Sequence, residues 1–169
     1  MPVKETQPVP KLTPLVPALS IAAVISLQWA QATPARSEPT GPAGDAHTLS
    51  DCVAKAGNLE PGCIGLVADA CLKTADSQER MGDCETRELK VWDGWLNRDY
   101  QVLMSKSLAG AQVRLRTIER AFVADTDQRC GFVTVVNGPT FLNVLPEQEC
   151  RLRATAIQWL WLKDFIKTN

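Results

Sequence analysis

The sequence has few of the residues on which catalytic and metal sites usually depend. Its 169 residues include one histidine, His47, and one tyrosine. A nucleophilic serine or cysteine needs a neighbouring base, and acid–base catalysis needs a group that titrates near neutrality or a pair of carboxylates. Because His47 is isolated and no such pair stands out, the sequence predicts no catalytic residues.

An excess of one charge is also missing. The chain has 18 basic and 19 acidic residues, for a formal net charge of −1, and no basic run is interleaved with aromatic residues. Nucleic-acid binding depends on neutralising backbone phosphates with lysine and arginine. The composition therefore argues against a nucleic acid as partner.

No apolar run is long enough for a membrane-spanning helix. The longest, residues 12–27, falls short of the roughly 20 residues that a span needs, and two prolines interrupt it. Two lysines precede the run and the small-x-small sequence Ala30-Gln31-Ala32 follows it, which is the order of a cleaved signal peptide. We predict a signal peptide over residues 1–32, cleaved after Ala32 with Ala35 as the alternative, and no stable membrane span after cleavage. The mature protein is then expected to be periplasmic in, or secreted from, a bacterium.

The segment after the predicted cleavage site shows no apolar period. Residues 33–49 are rich in proline, glycine, alanine and serine, so they cannot bury enough surface to offset the entropy lost on ordering. We predict a flexible leader there, with His47 inside it. The remaining residues, 50–169, suffice for one domain with a modest hydrophobic core.

Six cysteines lie downstream of the predicted cleavage site, and an even number in an exported chain indicates disulfides. Zinc sites, thiol oxidoreductases and c-type haem attachment use C-x-x-C sequences or nearby histidines, which this region lacks, so we predict no cofactor and no metal. Sequence alone leaves many pairings open. Consecutive cysteines flank turns between predicted helices, which favours sequential pairing. The predicted disulfides are Cys52–Cys63, Cys71–Cys84 and Cys130–Cys150.

Apolar residues recur at three- and four-residue steps over most of the predicted domain, which is typical of amphipathic helices. The pattern predicts three longer helices, at residues 77–108, 111–130 and 147–167, and two shorter ones at 50–56 and 63–73. Short connections between long helices favour an antiparallel arrangement. The sequence therefore predicts an all-α, disulfide-stapled bundle with two short N-terminal helices and three longer antiparallel helices.

The helical period breaks at residues 131–146, where β-prone valines are followed by a turn sequence. An irregular loop is favoured there over a short hairpin. Because the predicted third disulfide pins its base, the tip is a candidate contact with a partner protein. The alternative is that this loop only caps the bundle with Phe132 and Phe141. The candidate contact residues are Asn137, Gly138, Pro139 and Thr140.

The predicted helices also carry two groups of notable side chains. The tryptophans on the first and third long helices fit core positions better than a ligand cage, with the two that lie off the apolar stripes nearer the surface: Trp92, Trp95, Trp159 and Trp161. A second group of polar residues at helical spacing predicts a structural network of charge-assisted hydrogen bonds between two helices. Its members are Asp93, Asn97, Tyr100, Arg116, Arg120 and Asp127.

One ordered set of residues resembles a known family. The set comprises Cys84, Glu85, Trp92, Asp93, Leu96, Asn97, Tyr100, Leu115, Arg116, Glu119, Arg120, Ala121, Phe122, Asp127, Cys130, Cys150 and Thr155. It is similar to the domain of the LprI-like lysozyme inhibitors, a group of exported bacterial proteins, over roughly residues 71–162. The chain departs from that pattern at Glu119, Phe122, Thr126 and Gln158, where the family commonly has Gln, Trp, Arg and Arg.

The resemblance implies an all-helical fold, disulfide-bonded cysteines and, as in some members, inhibition of lysozyme. We therefore expect an exported, periplasmic binding or inhibitor module without enzymatic activity. Its partner would be a lysozyme-type muramidase or another envelope protein. The alternative is a structural or envelope-maintenance protein with no enzyme target.

Overall fold

The structure is a computed structural model that describes residues 41–56, 61–138 and 144–167. Every regular element in these ranges is helical, which confirms the predicted all-α fold. The elements are α1 (Pro42–Ala56), a 3₁₀ turn (Pro61–Cys63), α2 (Leu66–Leu72), α3 (Gln78–Lys106), α4 (Ala109–Asn137) and α5 (Val144–Lys167). None of these helices combines the length and the apolar character that crossing a bilayer requires.

The first helix begins earlier than the sequence predicts, so the boundary of the leader at residue 49 is wrong. Helix α1 starts at Pro42, a residue suited to the first helical position because its missing N–H would have no partner there. Its apolar face includes Leu49 and Val53, which are buried in the core. Tertiary packing of this face offsets the weak helix propensity of the segment. The predicted signal peptide and the leader as far as residue 40 lie outside the described residues.

The fourth helix is also longer than predicted. Residues 131–137, expected in an irregular loop, continue α4 to Asn137, and the helix ends at Gly138 with a positive φ of 74°. Packing against α5 and the Cys130–Cys150 disulfide hold this last part of α4 in place, and tertiary context overrides β-propensity. Phe132 is 60% exposed, so it does not cap the bundle. Phe141 lies outside the described residues.

Consecutive long helices run antiparallel, so α3 and α5 are parallel to each other. The Gln148 side chain lies beside Thr86 near the start of both helices, and Trp159 donates a hydrogen bond to Asp99 further along. Helix α5 packs along α3 and also against α4, whereas α3 and α4 make little direct contact. Among the three long helices, α5 therefore lies between α3 and α4.

Three tryptophans form the middle of the core. Trp92 is fully buried, and the ring centroids of Trp92, Trp95 and Trp159 lie 4.8–5.3 Å apart in edge-on or tilted pairs. Such pairs add about 0.5–1.5 kcal/mol beyond the area that they bury. Trp161 is different, since it is 38% exposed and contacts Phe165 on the outer face of α5.

All three disulfides join neighbours in sequence, as predicted. Each links one helical element to the next, with Cα–Cα distances of 5.5–5.8 Å. The described part of the chain has no free cysteine. The pairs are Cys52–Cys63, Cys71–Cys84 and Cys130–Cys150.

A buried carboxylate, which no sequence pattern indicated, fixes the short helix α2 to α3. The fully buried Glu88 accepts backbone hydrogen bonds from Gly65, Val67 and Ala68 at 2.7–2.9 Å, and a fourth from the Trp92 indole at 2.8 Å. These three N–H groups are among those that the start of a helix leaves without internal partners. Glu88 therefore satisfies the N-terminus of α2 from a different helix.

An ion pair attaches α1 to the same helix. The Arg87 guanidinium donates to both carboxylate oxygens of Asp45 at 2.7–3.1 Å, and the Asp45 side chain is almost fully buried. A forked contact of this kind fixes orientation as well as distance. Together with the Glu88 bonds it places all the N-terminal elements on one side of α3.

Candidate functional site

The six residues predicted to form a polar network lie along one open groove between α3 and α4. We call it the α3–α4 groove; its volume is about 630 Å³. Helix α3 supplies one side and α4 the other. The predicted residues in it are Asp93, Asn97, Tyr100, Arg116, Arg120 and Asp127.

The predicted network itself is wrong. Within the described residues no ion pair joins the two sides of the groove, and the one bond inside the set is that of the Asn97 amide to the backbone carbonyl of Asp93, at 2.9 Å. Helix α5 packs against both α3 and α4, whereas these two helices make little direct contact with each other along the groove. The groove is therefore open and lined with polar groups, with Leu96 and Phe122 contributing apolar surface.

Two arginines on α4 are exposed along this groove. Arg116 and Arg120 are one turn apart, and neither side chain forms an ion pair or a hydrogen bond within the described parts of the chain. Glu119 lies between them in sequence, but its carboxylate accepts a 2.8 Å hydrogen bond from Gln158 on α5. Burial raises the pKa of Glu119, an effect that this hydrogen bond opposes. The two guanidinium groups thus remain available to another molecule.

At the other end of the groove the charges are mostly paired. Arg151 on α5 donates to Asp127 at 2.6 Å and to Glu147 at 3.0 Å. The hydrogen bond to Asp127 is the largest cause that raises the pKa of Arg151. Asp93 also lines this end, and its carboxylate has no ion-pair partner among the described residues.

A second pocket, which was not predicted from the sequence, adjoins the groove at this end. It has a volume of about 380 Å³ and shares Asp93, Phe122 and Asp127 with the groove. Thr126 lines it, is 7% exposed, and has a hydroxyl without a hydrogen-bond partner in the described structure. The sequence does contain a sign of this burial: Thr126 follows Phe122 by four residues, so both side chains lie on the same, inward face of α4.

The predicted partner-contact loop is not a protruding loop in the part that the structure describes. Asn137 is the last residue of α4 and Gly138 ends the helix, whereas Pro139 and Thr140 lie outside the described residues. The long loop that would have carried this tip is replaced by helix up to residue 137. The predicted start of the loop at residue 131 is therefore wrong, whereas the partner contact at its tip stays a prediction.

Chemically, the α3–α4 groove suits binding. It offers free guanidinium groups as donors, a carboxylate as acceptor and a partly apolar floor. No group of three or more potential metal ligands occurs in the described ranges 41–56, 61–138 and 144–167. The one histidine is on α1, exposed, and close to Asp51 rather than to the groove.

Comparison with known proteins gives one match. The family model described as "Lysozyme inhibitor LprI" matches residues 69–162, a segment that includes all of α3 and α4 and most of α5. Searches of curated proteins and of solved structures give no match. The two departures Glu119 and Gln158 contact each other, so the helix interface at this point is satisfied by a different pair of side chains. With more than half of the chain covered by the model, and with the helical fold and the disulfides in place, the protein belongs to the LprI lysozyme inhibitor family.

Proposed function

We propose that this protein is exported and that it binds and inhibits a lysozyme-type muramidase without catalysing a reaction itself. The observation that carries the proposal is the family match over residues 69–162. That segment contains both sides of the α3–α4 groove. Three disulfides support export, because such bonds form and persist in oxidising compartments.

The chemistry of the target indicates which surface would bind it. Muramidases of this type cleave a glycosidic bond with two carboxyl groups that face each other across a cleft, roughly 5–10 Å apart. An inhibitor gains most by presenting cations or hydrogen-bond donors to these acids. Arg116 and Arg120 are four residues apart, about 6 Å along the helix axis, so their spacing is suited to two such carboxylates.

The position of α4 supports this assignment. It packs against α5 but makes little contact with α3, so the edge that carries the two arginines is accessible from the groove side. Neither arginine has to break an ion pair with a described residue before it meets a partner. Guanidinium groups bind carboxylates in a planar, two-pronged geometry, which favours arginine over lysine in this role.

A turbidity assay on bacterial cell walls tests the proposal. The oxidised protein, secreted from its full-length sequence, is expected to slow lysis by at least one class of lysozyme. The double variant Arg116→Gln/Arg120→Gln should weaken inhibition about tenfold or more, the equivalent of about 1.4 kcal/mol or more. Arg114→Gln is the matched control, because Arg114 is exposed on the same helix but does not line the groove.

The two parts of the proposal can fail separately. Undiminished lysis by lysozymes of several classes would remove the inhibitory function and leave the alternative of a structural or envelope-maintenance protein. Inhibition that is equally strong in the double variant and in the Arg114→Gln control would retain the function but exclude the arginine pair as its contact.

A further inference from the structure

We infer that a buried carboxylate between α2 and α3 binds the guanidinium group of an arginine on a partner protein. We call this the Glu85 site and define it by Glu85 on α3 with Asp69 and Leu66 on α2. None of these three residues lines the α3–α4 groove, so the inference does not depend on the inhibition of a muramidase.

The first observation is a buried anion without a partner. Glu85 is 8% exposed, and its carboxylate forms neither a hydrogen bond nor an ion pair within the described residues. Both of its oxygens keep some contact with solvent, so an approaching molecule can reach them. Glu88, three residues further along, is also buried but accepts four hydrogen bonds. A buried charge without a partner is unfavourable, and positions that break such a rule are often functional.

The second observation is that α2 holds another unpaired carboxylate close to this one. The Cys71–Cys84 disulfide joins the two helices, with Cys84 next to Glu85 and Cys71 two residues after Asp69. Asp69 is exposed and forms no ion pair with any described residue. Burial is the largest cause that raises the pKa of Glu85, and repulsion from nearby carboxylates, Glu149 and Asp69 among them, raises it further. The two helices thus present negative charge to the same small area of surface.

The nearby cation is already occupied. Arg153 lowers the pKa of Glu85, but its effect is smaller than those of burial and of the surrounding carboxylates. Its guanidinium group donates to Glu149 at 2.9 Å. The site therefore keeps an excess of negative charge, which a cation from another molecule would neutralise.

The geometry favours a guanidinium group over a metal ion. No group of three potential metal ligands occurs in the part of the chain that the structure describes. A guanidinium is planar and has five N–H donors, so it can bond to carboxylates on two different helices at once. Such a group would reach Glu85 and Asp69 together.

A neighbouring apolar residue indicates that the guanidinium belongs to an arginine. Leu66 lies three residues before Asp69, on the same side of α2, and is 39% exposed. The methylene stem of an arginine side chain packs along apolar surface while its charged end makes polar contacts. Leu66 offers that surface beside the carboxylates, whereas a small inorganic cation would make no use of it.

NMR titration of the oxidised, full-length secreted protein with a short alanine peptide that has one central arginine tests the inference. The matched peptide carries citrulline, which has nearly the same shape without the charge. We expect a saturable shift of the Glu85 carboxyl carbon and about tenfold or more weaker binding of the citrulline peptide. The absence of a saturable shift at millimolar peptide would overturn the inference, as would equal binding of the two peptides. Tighter binding of methylguanidinium than of the arginine peptide would assign the site to a small solute and exclude the protein contact.

The variant Glu85→Gln provides a readout that a purely structural role would not give. It removes a buried charge that has no partner, so the free protein should be more stable at pH 7. The same variant should bind the arginine peptide about tenfold more weakly. Such a loss of binding together with a gain in stability is typical of a functional residue. Glu79→Gln is the control, because Glu79 is exposed in the first turn of the same helix. Equal affinity for the peptide in the two variants would contradict the site.

Discussion

Replacing Glu88 by glutamine should destabilise the fold far more than any surface change of the same kind. In the native protein one carboxylate oxygen of Glu88 accepts hydrogen bonds from Gly65 and Trp92. The other oxygen accepts hydrogen bonds from Val67 and Ala68. A glutamine amide has one oxygen and one NH₂ group. Whichever way it is oriented, two of the four donors lose their acceptor and face another donor.

The size of this effect follows from the bonds that are lost. Hydrogen bonds to charged groups contribute about 1.5–3 kcal/mol each, so the loss of two predicts a decrease of about 3–6 kcal/mol in the free energy of unfolding. Domains of this kind have total stabilities of about 5–15 kcal/mol, so the variant should be close to unfolding.

Urea denaturation of the oxidised protein measures the difference through the midpoint and the slope. Glu79→Gln is the control, since Glu79 is exposed in the first turn of the same helix, and we expect a change of at most about 0.5 kcal/mol there. A loss of less than 1 kcal/mol in Glu88→Gln would show that the carboxylate does not hold α2 to α3 as described.

Two further predictions concern charge and covalent links. Burial, followed by repulsion from Glu149, Glu88 and Asp69, raises the pKa of Glu85, so its ionised form is less stable in the folded protein than in the unfolded chain. Glu85→Gln should therefore raise the free energy of unfolding at pH 7. The gain should vanish at about pH 3, where the residue is protonated in both states; an equal gain at both pH values would refute this. Reduction of the three disulfides should abolish cooperative thermal unfolding in circular dichroism, since each of these loops contributes about 3 kcal/mol in the chain-entropy model; an unchanged midpoint would mean that they contribute little.

The sequence predicted those parts of the fold that depend on local pattern. Apolar spacing located α3 within two residues at each end, and the turns between helices gave the disulfide pairing. The pattern failed where packing outweighs local preference. The last turns of α4 contain β-prone residues and are helical because α5 and the third disulfide hold them there, and the start of α1 has a composition typical of a loop.

The candidate site was predicted in position but not in form. Periodicity placed Asp93, Asn97 and Tyr100 on one face of α3, and Arg116 and Arg120 on one face of α4, and these faces do line the same groove. Their distance across the groove depends on where α5 lies, which no local pattern specifies. Glu88 was missed for a related reason: a glutamate four residues before a tryptophan gives no sign in the sequence that the start of another helix will pack against it.

On the export proposed above, sequential pairing of the cysteines affects how the chain would oxidise as it leaves the cytoplasm. As the chain emerges with its N-terminus first, Cys63 finds Cys52 as the one earlier cysteine, and the two can join before the next appears. Cys84 then meets Cys71, and Cys150 meets Cys130, in the same way. If each cysteine is oxidised before the next pair emerges, only the native disulfides form and no disulfide isomerase is needed. A complete reduced chain, by contrast, can also form non-native pairings. Oxidised refolding of the full chain should therefore be slower and more dependent on thiol exchange than maturation during secretion.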